Sequence, residues 1–215
     1  MIIKSVAASL PSRVVTNDDM IEMIREQSPA FRGDIDKTLR KIHALLKISG
    51  LRERRWCDRH ETPIDHIAKA TRAALEETYL QKKHIELLIY VGVGRGFIEP
   101  GNAHMVANTL GFHNAECFDV VDACMSWIRA LQLVDSLFKT GKYKNALVIN
   151  AEFNITGNNN SGLFSMDADD QVDYTFPIFT IGESATATLL SSRDQDNFKF
   201  FFRHNLTNQT FAPSH

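Results

Sequence analysis

Three apolar runs, each preceded by a stretch with helical patterning, constrain this chain more than any other feature. They are IELLIYVGVG (85–94), ECFDVVDA (116–123) and NALVINAEFN (145–154). Continuous runs of this length bounded by turn residues read as strands buried on both faces, and strands alternating with helices pair in parallel through right-handed crossovers. The helical segments fit that order. In TPIDHIAKATRAALEETYL, Ile64, Ile67, Ala68, Ala74 and Leu75 fall on one face, GNAHMVANTLG predicts a short helix, and MSWIRALQLVDSLFKTG predicts a long one stopped at Gly141.

The flanks add further elements. MIIKSVAASLP opens as a strand, and TNDDMIEMI follows as a helix capped by Thr16 or Asn17. Residues 24–47 read as helical or irregular, and GLRERRW as a turn and short strand. Residues 157–175 are polar and predict a surface excursion, after which PIFTIGESATATLLSS resumes as strand, glycine break and strand. The fold class is therefore α/β.

Composition removes several function classes. With 215 residues, 44% of them hydrophobic, there is material for a sizeable core. The 24 basic and 26 acidic residues leave a formal charge of −2, so no general field recruits nucleic acid, and Arg52, Arg54, Arg55 and Arg59 form only a local basic cluster. No leader or membrane-spanning run is seen, which reads as a cytoplasmic protein with no membrane partner. Cys57, Cys117 and Cys124 lack CxxC spacing and predict neither a disulfide framework nor a metal site.

Cys124 stands in VVDACMSW (121–128), where a strand hands over to a helix. Unpaired N–H groups and the positive helix end favour the thiolate of a cysteine placed there, and its own N–H can steady an oxyanion. Position alone leaves a second reading open, a small buried core residue. A glycine-rich loop, YVGVGRGF, suggests a dinucleotide fingerprint, but Phe97 occupies the place of the third glycine.

FDVVDACMSWIRALQLVDSLFKTGKYKNALVINAE, preceded by ISGLRERRW and followed by FTIGESATATLL, resembles the N-terminal half of ketoacyl-acyl-carrier-protein synthase III-like condensing enzymes of the thiolase superfamily. The resemblance covers residues 1–192, with 193–215 as the start of a crossover or a tail. It implies a thiolase-like half, a mixed five-stranded sheet with helices on both faces. It also implies a reaction without a cofactor: Cys124 accepts an acyl group from acyl-coenzyme A or an acyl carrier protein, and a Claisen condensation with a second thioester follows.

The resemblance also marks departures. The family's catalytic histidine and asparagine belong to a second half beyond these residues, and neither His204 nor His215 lies in a matching motif. A longer product or a separate polypeptide is expected to supply them, so a homodimer or a heteromer is expected, and a noncatalytic partner subunit is the alternative function. Ala44 and Ile48 stand where starter enzymes of the family grip coenzyme A with a tryptophan and an arginine, leaving Arg52, Arg54 and Arg55 to meet a phosphopantetheine or phosphate. Glu99 and Pro100 resemble a glutamate–proline pair in enzymes that join two acyl chains head to head in olefin biosynthesis, where the glutamate crosses the dimer as base. The competing reading places Pro100 in a first helical turn and Glu99 near its positive end. Glu183 and Ser184 replace smaller family residues.

Overall fold

The computed structural model describes residues 1–93, 99–155 and 162–192. Residues 193–215, read as the start of a crossover or a tail and holding His204 and His215, and Phe97 of the glycine-rich loop lie outside the described residues. The elements are β1 (Ile2–Ser9), β2 (Arg13–Thr16), α1 (Asn17–Gln27), α2 (Ile35–Ile48), β3 (Glu53–Trp56), α3 (Pro63–Thr78), β4 (Leu87–Val91), α4 (Asn102–Leu110), β5 (Glu116–Val120), α5 (Ser126–Phe138), β6 (Asn145–Glu152), α6 (Val172–Thr175) and β7 (Ser184–Ser191).

One five-stranded sheet runs in the order β1-β7-β6-β4-β5, and β2 pairs with β3 as a separate antiparallel ribbon. β4 pairs in parallel with both β5 and β6, while β7 is antiparallel to β6 and β1 antiparallel to β7, so the sheet is mixed. Every residue of β4 is buried, as its unbroken apolar run requires. β5 differs from the buried strand expected. It lies at the sheet edge with Glu116 exposed and Cys117, Phe118 and Asp119 half-buried, because only β4 pairs with it.

Strand alternation divides the core by face. Leu88 and Tyr90 of β4 pack with Ile67 and Ala74 of α3 and Val106 of α4, while Leu87, Ile89 and Val91 pack with Ala130, Leu131 and Val134 of α5. Helices thus cover both faces. Among the described residues no helix is long and apolar enough to cross a membrane.

A third cluster lies outside the sheet. Met20 and Ile24 of α1, Leu39, Ile42 and Leu46 of α2 and Trp56 pack with Phe164, Met166, Val172 and Phe179. Trp56 stacks on Phe164 at 5.4 Å. The segment read as a surface excursion therefore contributes core residues over its described part, because a few apolar side chains embedded in polar sequence carry no period. Phe176–Thr180 is a 3-10 turn rather than a strand, with Pro177 in its first turn, where a missing N–H costs nothing. Thr16 caps α1 through a reciprocal pair with Asp19.

Glu183, for which the sequence supplied no role, ties the ribbon to the sheet. It is 1% exposed. Its Oε2 accepts from the N–H of Cys57 at 2.8 Å and its Oε1 from the N–H of Ile155 at 2.9 Å, while its own N–H donates to Arg55 O at 2.7 Å. Glu183→Ala leaves two N–H groups without their acceptor, at about 1–3 kcal/mol each. Allowing for the carboxylate desolvation it relieves, the expected loss is about 2–4 kcal/mol, or about 4–16 °C in a thermal melt. An unchanged melt would remove this structural role.

Candidate active site at the carboxyl ends of the parallel strands

In an α/β sheet the crevice for ligands lies beyond the carboxyl ends of the parallel strands, where loops are free to diverge. The exits of β4, β5 and β6 gather here. Gly92, just after β4, is required by close approach: a Cβ there would lie 2.9 Å from Ala151 O and 3.1 Å from Glu152 Oε1. Glu152 accepts from Val93 N–H at 2.8 Å and from Asn154 Nδ2 at 2.9 Å, joining the β4 and β6 exits.

The β5 exit carries Cys124. Asp122 is followed by a single 3-10 turn, Ala123–Met125, before α5 begins at Ser126. Cys124 therefore precedes the helix proper instead of occupying its first turn. Ala123 has φ +44°, a left-handed conformation that a non-glycine residue adopts at a cost of about 1–3 kcal/mol and that clusters at functional sites. The chain reverses sharply there and leaves Cys124 exposed, which excludes the buried core reading. Ser126 stitches the turn, its Oγ accepting from Asp122 N–H and donating to Ala123 O, both at 2.8 Å. Met125 N–H donates to Asp122 O at 2.9 Å and Ser126 N–H to Ala123 O, so the turn does not itself use the Cys124 N–H. Asp122 pairs with Arg129, Oδ2 to Nε 3.0 Å. Val121 and Met125, 53% and 52% exposed, flank the thiol with apolar surface.

Glu99 is exposed on the segment between β4 and α4. The helix-start reading of this residue does not hold. α4 begins at Asn102 with Gly101 as its cap, so Pro100 lies before the helix. The carboxylate at that helix start is Asp119 of β5, which accepts from the N–H groups of Asn102 at 2.9 Å and Ala103 at 2.7 Å. A Cβ on Gly101 would sit 3.0 Å from Asp119 Oδ1, which explains the glycine. Glu99 and Cys124 thus share one end of the sheet, on adjacent strand exits, and among the described residues no hydrogen bond or ion pair joins them.

The basic cluster divides. Arg54 is 3% exposed and donates to Val15 O, Thr16 O and Asn17 Oδ1, so it is committed to the ribbon and cannot meet a phosphate. Arg52 and Ile48 are exposed, and Ala44 lies one turn before Ile48 on the same exposed stripe of α2. A groove of about 540 Å³ between α3 and α4, lined by Thr71, Leu75, Tyr79 and Leu110, contains neither Cys124 nor Glu99.

A family model for 3-oxoacyl-acyl-carrier-protein (ACP) synthase III matches residues 118–207, starting within β5 and running through Cys124. This chain is related to the synthase III-like condensing enzymes. A beta-ketoacyl-acyl-carrier-protein synthase III of Clostridium beijerinckii is 33% identical over 150 residues, 70% of this chain and 42% of that protein. One from Sulfurovum sp. is 26% identical over 212 residues, 97% of this chain and 54% of that protein. The chain spans about half the length of the curated relatives it matches. Its fold is that of Xanthomonas campestris OleA, at TM-score 0.74 and 22% identity, over 88% of this chain and 55% of the other. One OleA structure with the same figures holds lauric acid and lauroyl-CoA. The thiolase-like half expected from the sequence is the fold observed.

The three thiols differ in a way that predicts their reactivity. Cys57 is buried, and burial first, then the Asp119 carboxylate, pushes the Cys117 thiol up from its ordinary 9.0. A raised value means less thiolate at neutral pH. Limiting iodoacetamide at pH 7.5 should modify Cys124 first, with Cys117 gaining only as the pH rises past 9. Peptide mapping that finds equal labelling of all three would contradict this order.

Proposed function

We propose that the chain carries the acyl-accepting half-site of a condensing acyltransferase, with Cys124 as the nucleophile. The observation that supports this most is the exposed thiol after a left-handed residue at the end of a parallel strand. The Cys124 thiolate attacks the carbonyl carbon of an acyl thioester. The tetrahedral intermediate collapses, expelling the donor thiolate and leaving the acyl group on Sγ. Its oxyanion is steadied by donors of the kind the Cys124 N–H supplies. In the second step Glu99 takes a proton from the α-carbon of a second acyl thioester. The resulting carbanion attacks the Cys124 thioester, releases the Cys124 thiolate and forms a β-ketoacyl thioester.

Assembly with a further chain or segment is part of the proposal. β5 is an edge strand whose far side is unpaired within the described residues, and its exit carries Cys124. Val6, on the sheet face occupied by α5 and paired with Thr188, is 53% exposed, as is Val121. A second copy added along β5 would bring its own Glu99 toward this thiol. A fatty acyl chain suits the apolar flanks of Cys124, in keeping with the lauroyl-CoA held by OleA. The cytoplasm, where acyl thioesters and reduced thiols coexist, is the proposed location.

A second reading is a noncatalytic partner of an intact synthase, for which Glu99 and Cys124, unjoined by any hydrogen bond or ion pair among the described residues, need not act together. Stopped-flow release of coenzyme A from lauroyl-coenzyme A distinguishes the readings. The proposal expects a burst of about one thiol per chain. No release would favour the noncatalytic partner, and continuous release without a second thioester would indicate a hydrolase.

A further inference from the structure

Away from the Cys124 turn, three chemically different side chains converge between β3 and α3. Cys57 follows β3, Glu61 precedes α3, and His66 lies in its first turns; the Cys57 Sγ, a Glu61 carboxylate oxygen and a His66 ring nitrogen all lie within 4.8 Å of one another. His66 is 1% exposed, yet its buried Nε2 has no hydrogen-bond partner, and the Glu61 Oε1 nearest to it stands at 3.6 Å. Buried ring nitrogens are normally satisfied, so this atom requires a ligand or an explanation.

The surroundings hold the donors in place. His66 Nδ1 lies 2.9 Å from Ser9 Oγ at the end of β1, which can accept the Nδ1–H and so turn Nε2 into the donor atom facing the cluster. Phe153 stacks on the ring at 5.6 Å. Glu61 is fixed by the N–H groups of Ser12, 3.1 Å from each oxygen, and Asp58, 2.9 Å from Oε2. Cys57 is anchored through its own N–H to Glu183.

We propose that Cys57, Glu61 and His66 bind a divalent transition-metal ion of the zinc class. One thiolate sulfur, one imidazole nitrogen and one carboxylate oxygen form a donor set that zinc takes tetrahedrally, with the fourth position left to water. Bonds of about 2.0–2.3 Å require the donors to close by about 1 Å, a movement within reach of the Cys57 and Glu61 side-chain torsions. The ion would clip the β2–β3 ribbon to α3 and, through Ser9, to β1. The spacing Cys57-x3-Glu61-x4-His66 matches no zinc motif, which is why the sequence predicts none.

Cobalt titration of the chelator-stripped full chain tests the site. The expected result is saturation at about one equivalent, with a thiolate-to-cobalt charge-transfer band that is lost in Cys57→Ala and retained in the double variant Cys117→Ala, Cys124→Ala. Ser9→Ala, which removes the imidazole's support, should weaken cobalt binding about 10–100-fold while keeping the band. Because Cys57→Ala alters a packed position, wild-type protein provides a parallel readout. One equivalent of zinc should slow alkylation of Cys57 at least about tenfold and leave Cys124 unchanged. A wild-type chain without the band, a band that survives Cys57→Ala, or zinc that fails to protect Cys57 would overturn the assignment.

Discussion

Cys124→Ala is expected to abolish acyl-enzyme formation while leaving the melting temperature within a few degrees of wild type. The thiol is exposed, and its side chain makes no hydrogen bond or ion pair among the described residues, so its loss opens no cavity in the core and strands no polar group. The turn around it survives because its bonds come from Asp122, Ala123, Met125 and Ser126. Chemistry is affected far more. Without sulfur there is no nucleophile to hold the acyl group, so the burst of coenzyme A should fall from about one equivalent to none. Gel-filtration profile and melt, compared with wild type, would show whether the loss is chemical. A Cys124→Ala chain that still acquires an acyl group would remove Cys124 from the mechanism.

Glu99→Gln should separate the two half-reactions. Glutamine keeps the size of the side chain but cannot take a proton, so acylation of Cys124 should persist while carbon–carbon bond formation falls by about 10²–10⁴-fold, the range that a general base contributes. The stability cost should be small, because Asp119 already supplies the carboxylate at the α4 helix start. The assay belongs to the assembly that condenses, with β-ketoacyl product measured alongside bound acyl group. Mixed assemblies sharpen it: a Glu99→Gln copy and a Cys124→Ala copy should together restore part of the activity if Glu99 serves the neighbouring thiol. Equal loss of both half-reactions, or no loss of condensation, would contradict the role of Glu99 as base.

Much of the sheet is legible in the sequence because local pattern determines it. The five buried residues of β4 are one unbroken apolar run, α3 carries its core positions at helical spacing, and Thr16 with Asp19 forms a reciprocal cap within four residues. The edge position of β5 is not local information, since it depends on which strand pairs with which. Nor is the burial of Arg54, whose acceptors lie on β2 and at the start of α1, or the two N–H groups that Glu183 gathers from 126 and 28 residues away. The site divides in the same way. Cys124 is visible because a strand-to-helix junction is a short motif. Asp119 as the acid at the start of α4 is hidden by a separation of 16 residues from Ala103, and the convergence of Ser9, Cys57, Glu61 and His66 emerges only after β1, the ribbon and α3 have packed.

Condensation depends on acyl transfer to Cys124. The most direct test of that transfer is mass spectrometry of the wild-type chain after brief exposure to lauroyl-coenzyme A, first intact and then as peptides. One added lauroyl mass per chain is expected, located on the peptide containing Cys124 and removed by hydroxylamine as a thioester. An unmodified chain, or lauroyl groups spread over Cys57 and Cys117 as readily as Cys124, would contradict it.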